Sequence, residues 1–187
     1  MESNFSNTDA IAALHADDPH LFRPFVEHFQ HPLFGFLGRM GFSQSDAEDL
    51  AQEVFLKAWR YRASYSPDKA QPSTWLFTIA RNTAIDRLKK NAGYSLSHGD
   101  AEIPAEPTPH PEHQLQQCQS QQQLAIAIRQ LPINDRCAIA LFYMNDLSVA
   151  QAASVMQCSD TAFKTRLSRA RSKLKAILQA MDEFNER

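Results

Sequence analysis

The chain has 187 residues, 43% apolar and 21% charged, with a net charge of −2, values that suit an ordinary folded protein and exclude a fibrous or disordered one. No apolar run approaches the ~20 residues that cross a bilayer, and the opening stretch MESNFSNTDAIAALHADD lacks the basic and apolar regions of a secretory signal. The expectation is a cytoplasmic protein with no membrane insertion and, from three widely spaced cysteines (Cys118, Cys137, Cys158), no disulfide framework.

Glycines are few, strand-like alternation is missing and helical periodicity dominates, so the sequence reads as all-α. Residues 1–30 are acidic. In 21–41, Pro24 and Pro32 are expected to delimit or kink helices. The segment SDAEDLAQEVFLKAWR then opens at Ser45, which forms an S-x-x-E capping box with Glu48. Ala47, Leu50, Ala51, Val54, Phe55 and Ala58 recur at helical spacing and are expected in the core. Asp49, Gln52, Glu53, Leu56 and Arg60 fall on the opposite stripe, where an apolar residue among charges suits either a protein partner or a solvated face.

After the loop SYSPDKAQPS, a helix starts at Pro72 or Ser73 and runs to Gly93. At about 100° per residue, Leu76, Ile79, Ala80, Thr83, Ala84 and Leu88 share its buried face. Trp75, Asn82, Asp86 and Lys89 share another stripe, with Lys90 beside it. An aromatic, an amide and cations on one stripe are what holds single-stranded nucleic acid. From this helix alone a core-anchoring Trp75 and a surface Asn82 are the favoured reading.

Residues 93–113, rich in Pro and acid, read as a flexible linker. The sequence thus divides into a domain over 1–92, the linker over 93–113 and a second domain over 114–187. His110, His113 and Cys118 lack a fourth ligand nearby, so no metal and no cofactor is expected. In the second domain a helix stops before Pro132 and NDRCAIALFYMN forms another. Ser148 and Gln151 box a short helix over 149–156, QCS turns the chain, and Ser159 caps a long final helix. A short helix, a tight turn and a helix with a basic face make a helix-turn-helix. Gln157 stands where such turns favour Gly for its positive φ. Phe163, Leu167, Ala170, Leu174 and Ile177 form the buried seam of the last helix. Lys164, Thr165, Ser168, Arg169, Arg171, Ser172 and Lys175 point outward, as phosphate and base contacts would require. Cys137 and Cys158 read as packed small residues. The two basic islands, 56–90 and 159–175, flank an acidic stretch and on charge alone suit equally two contacts with one polyanion or two solvated helix faces. No phosphate loop, nucleophile elbow or His–carboxylate pair supports an enzyme.

Together DAEDLAQEVFLKAW (46–59), TWLFTIARNTAIDRLKK (74–90) and the motif spread over 131–171 resemble the extracytoplasmic-function sigma factors, bacterial transcription-initiation subunits with σ2 and σ4 domains joined by a linker. The resemblance covers nearly all the chain outside the linker and the first ~20 residues. It implies that Asp49, Gln52, Glu53, Leu56 and Arg60 dock on the β′ coiled coil of core RNA polymerase, and that the second domain meets the β flap. It implies further that Asn82 captures an unstacked base of the −10 promoter element, with Trp75, Asp86, Lys89 and Lys90 on the same melting surface. Lys164, Thr165, Ser168, Arg169 and Arg171 would read the −35 element. YSPDKAQPSTWLFTIARN (65–82) also resembles a subgroup controlled by zinc-binding anti-sigma proteins of the ChrR type and linked to singlet-oxygen and organic-peroxide stress. Departures at Gln151, Thr161-Ala162 and Thr165 bear on the −35 sequence that would be read. The alternatives are a response-regulator-type helix-turn-helix protein, which would need a receiver domain that residues 1–92 do not show, and a nucleic-acid-processing enzyme, which would need a catalytic set.

Overall fold

The computed structural model describes residues 5–92, 122–143 and 147–185, and every regular element there is helical. The linker over 93–113 and the candidate ligands His110, His113 and Cys118 lie outside the described residues.

Helix α1 (Asn7–His15) was not expected from the sequence. Ser6 and Asp9 close a complete capping box over it, and Ala10, Ala13 and Leu14 bury its inner face. Helix α2 (Pro19–Arg39) begins with Pro at its first position behind the N-cap Asp18, and it runs through both Pro24 and Pro32. Of the expectation that these prolines delimit or kink helices, delimiting is therefore corrected. An interior proline costs about 3 kcal/mol. Phe22, Phe25, Phe29, Leu33, Phe36 and Leu37 are all buried along one face, and each large apolar side chain contributes roughly 1.5–3 kcal/mol on burial. That packing outweighs two missing backbone bonds.

Helix α2 ends in a Schellman motif. Gly41 donates to the Gly38 carbonyl and Phe42 to that of Leu37, with Gly41 at φ +92°, which suits a residue without Cβ. Helix α3 (Gln44–Tyr61) is capped two residues before the expected Ser45. Ser43 is its N-cap and accepts from the Asp46 amide at 3.2 Å. The Ser45–Glu48 capping box does not form, because the earlier Ser-x-x-Asp offers the same chemistry directly after the Schellman turn. Ala47, Leu50, Ala51, Val54 and Ala58 are buried as expected, and Phe55 packs against the core while partly exposed. A short 3-10 turn (Arg62–Ser64) leads to helix α4 (Pro72–Ala92). Arg62 donates to the carbonyls of Ala16 and Trp59 and pairs with Asp17, fastening this turn to the end of α1.

Helix α5 covers 122–130, α6 is Ile133–Phe142, α7 Val149–Val155 and α8 Asp160–Asn185. Helices α1–α4 pack on one another, as do α6–α8; α2 also meets α6 and α4 meets α7. Arg129 of α5 donates to the Gly41 carbonyl at 3.1 Å. A Cβ at Gly41 would lie 2.9 Å from Arg129 Cγ, so this close approach is a second reason for glycine there.

Candidate nucleic-acid and polymerase interfaces

The turn between α7 and α8 sets the first candidate interface. Ser148 and Gln151 form the expected capping box. At the other end Gln157 donates to Ser154 and Cys158 to Ala153, a Schellman motif with Gln157 at φ +55° where glycine is usual. A left-handed non-glycine residue costs about 1–2 kcal/mol. The Ser148 cap and the Ser159 hydroxyl that accepts from Ala162 at 3.2 Å are each worth about 1 kcal/mol, so the caps offset the strain.

Phe163, Leu167 and Ala170 anchor α8, with Leu174 and Ile177 partly buried. Lys164, Thr165, Ser168, Arg169, Arg171, Ser172 and Lys175 are all exposed. Lys164, Arg169 and Lys175 form no ion pair among the described residues, which leaves their charges available to a polyanion. Arg171 is held differently, its guanidinium 4.2 Å over the Phe142 ring. The Thr165 hydroxyl donates back to the Thr161 carbonyl at 2.9 Å.

On α4 the buried face holds Leu76, Phe77, Ala80, Thr83 and Ala84. Phe77, absent from the sequence-based list, meets Phe36 edge-on at 5.7 Å. The other stripe separates into two parts. Asn82, Asp86, Lys89 and Lys90 are exposed, and the Asn82 side-chain oxygen accepts from Arg81 at 3.1 Å. Trp75 is half-buried, packed on the core with its ring 5.4 Å from Tyr65. It is a fixed wall at one end of the stripe rather than a free stacking platform.

On α3, Asp49, Gln52, Leu56 and Arg60 are exposed, Leu56 to 65%. Glu53 departs from that stripe. It accepts from Lys57 at 2.8 Å and from Arg87 of α4 at 3.2 Å, while Lys57 also donates to Thr83 at 3.1 Å. The hydrogen bond from Lys57 holds the Glu53 carboxyl below its ordinary value; burial opposes it, and the charge of Lys57 and then Arg87 add to the lowering. A lowered carboxylate pKa stabilises the fold above the unfolded value and ceases to do so as pH falls through the folded one, so this α3–α4 tie is an asset at neutral pH and weakens in acid. The roles of Lys57 and Arg87 escape a sequence reading because the partners stand 34 positions apart for Glu53–Arg87 and 26 for Lys57–Thr83.

Cys137 is fully buried, and burial pushes its thiol up to about 12, with Arg81 opposing. At neutral pH it is a neutral packing group, not a nucleophile. No group of His, Cys, Asp and Glu among the described residues is arranged to hold a metal ion.

A helix-turn-helix with a basic face, and a separate helix presenting an amide and cations, are features that suit a helical nucleic-acid-binding protein. Comparison with known proteins narrows the class. The family described as Sigma-70 region 2 matches residues 25–93, and Sigma-70, region 4 matches 121–174. The ECF RNA polymerase sigma factor SigM of Bacillus subtilis (strain 168) is 32% identical over 151 residues, 80% of this chain and 90% of that protein. The RNA polymerase sigma-H factor of Pseudomonas aeruginosa is 31% identical over 176 residues, covering 88% and 89%. The sigma factor RpoE, solved in complex with the anti-sigma factor NepR from Bartonella quintana, superposes with a TM-score of 0.65 at 25% identity over 84% of this chain and 98% of that one. The chain belongs to the extracytoplasmic-function RNA polymerase sigma factors. It is a transcription initiation factor and not an enzyme.

Proposed function

We propose that α3 docks on core RNA polymerase through Asp49, Gln52, Leu56 and Arg60, that α4 captures a −10 base through Asn82 beside Trp75, Asp86, Lys89 and Lys90, and that α8 reads the −35 duplex. In the −35 set, Lys164, Thr165, Ser168 and Arg169 face the groove and Arg171 reaches it from its seat on Phe142. Glu53 serves the docking face from behind, by tying α3 to α4. Functionally, residues 1–92 act as one unit and 114–187 as the other, joined by 93–113. The observation that carries this reading is the coexistence, in one chain, of two exposed faces of different chemistry. One presents the Asn82 amide beside cations, which suits a single strand, and one is basic, which suits duplex.

Alanine at Arg169 should lower holoenzyme affinity for its promoter by roughly 1–3 kcal/mol and change the preferred −35 base. Alanine at Lys164 should weaken binding with less change in preference. Footprinting on −35 variants reads both effects, and an unaltered footprint and base preference in both would remove α8 from the −35 element.

As a transcription initiation factor the protein would work in the cytoplasm, where core polymerase and promoter DNA are. No described helix is long and apolar enough to cross a membrane. It is held by an anti-sigma factor, a partner type supported by the RpoE–NepR likeness. The resemblance of 65–82 to the ChrR-controlled subgroup further supports a zinc-binding partner and a stress response. Co-production of the adjacent gene product should silence the promoter that this chain activates, and replacing that partner's zinc ligands should restore transcription. Silencing that persists without the ligands would rule out zinc, and no silencing would rule out that partner.

A further inference from the structure

Asp135 on α6 is the one buried carboxylate among the described residues, only 6% exposed, and none of the roles assigned above uses it. Its Oδ2 accepts from Lys173 at 2.7 Å and its Oδ1 faces Arg166 at 3.6 Å. Both partners belong to α8. They stand seven residues apart, two helical turns, so they lie on one stripe. The fully buried Ala170 sits between them along the helix, and its small side chain leaves room for the carboxylate.

That stripe flanks the buried seam, roughly 140–180° around the helix axis from Lys164, Ser168 and Lys175 and roughly 40–60° from Arg169. The basic island is thereby sorted: Arg166 and Lys173 are held by Asp135, while Lys164 and Lys175 on the far side of α8, and Arg169 between the two sides, form no ion pair among the described residues. A carboxylate buried this deeply keeps its charge only with well-placed partners. Gripping one helix from two successive levels fixes both its rotation and its slide. Rotation matters for readout, since a turn of ~30° carries a side-chain atom at ~6 Å from the helix axis through ~3 Å, more than a hydrogen bond tolerates.

We propose that Asp135 is a positioning residue for −35 recognition, setting the rotation of α8 through Arg166 and Lys173 without touching DNA. The inference rests on the reading that α8 contacts the −35 element. The test uses holoenzyme assembled from core polymerase and the full chain, on a promoter fragment it transcribes and the same fragment with its −35 element replaced. Asp135→Asn should reduce the discrimination between the two fragments about tenfold. Lys173→Gln, at a more exposed position that keeps Asp135 paired to Arg166, should reduce it about threefold while leaving the salt dependence of binding unchanged. The second variant decides the matter if the first does not fold. Unchanged discrimination in Lys173→Gln, or a salt slope shallower by about one as for a lost phosphate contact, would overturn the proposal. Arg169→Ala is the control. If it lowers discrimination and the other two variants do not, only the positioning role fails; if it too has no effect, the −35 reading of α8 fails with it.

Discussion

Holoenzyme carrying Asn82→Ala is expected to bind promoter DNA closed but to open it at least tenfold less well. Asn82 is exposed in the middle of α4, where its amide offers one acceptor oxygen and two donor hydrogens to a base edge. Unstacking a base costs a few kcal/mol. The contacts a good amide–base pair supplies, about 1–3 kcal/mol, are of the size needed to hold that base out, so their loss falls on the opening step. The substitution removes no buried surface, so folding, polymerase binding and −35 contact should be retained. A template already unpaired at −10 should restore activity only in part, because the base is still not gripped. Permanganate reactivity of −10 thymines reports the melting. Wild-type melting by Asn82→Ala on duplex DNA would reduce Asn82 to a surface amide.

The second large effect is expected on α3. Asp49→Lys combined with Leu56→Ser should weaken the complex with core polymerase about thirtyfold or more, the scale of losing a central anchor residue of an interface. Leu56 is 65% exposed in the chain alone and sits among polar neighbours, the pattern of an anchor within a rim. Both positions are exposed, so the circular-dichroism spectrum and the melting temperature should not change. Glu53 is unsuited to the same test. Reversing its charge would also break its bonds to Lys57 and Arg87 and shift α4, confounding docking with promoter melting. Co-elution at wild-type level by the double variant would move the docking surface elsewhere.

What the sequence could reveal follows from the range of the interactions. Features set by neighbours along the chain were legible: the apolar stripe of α3, the Ser148–Gln151 box, the helix break before Pro132, the seam of α8, and the positive φ at Gln157. Each depends on residues within a turn or two of one another. The α3 start was misplaced because Ser43 and Ser45 both precede an acid by three residues, and only the preceding Gly41 turn decides between them. The prolines of α2 misled because their local cost is read easily, whereas the compensating aromatic packing is a property of the assembled helices. Trp75 shares its stripe with Asn82, yet the reading of the helix alone as a core anchor holds, with Tyr65 and the core keeping it in place. Glu53 and Asp135 were beyond reach for the same reason. Their partners lie 34 residues away for Glu53–Arg87 and 38 for Asp135–Lys173, and no periodicity links them.

The central claim is that this one chain gives core RNA polymerase promoter specificity with two separate DNA faces. It is tested most directly by transcribing genomic DNA in vitro with core polymerase, with and without the purified chain, and mapping the 5′ ends of the products. The account predicts new start sites that appear only with the chain and share one two-part upstream motif. Arg169→Ala should lose starts through the distal part of that motif and Asn82→Ala through the proximal part. A set of start sites identical to that of core polymerase alone would contradict it.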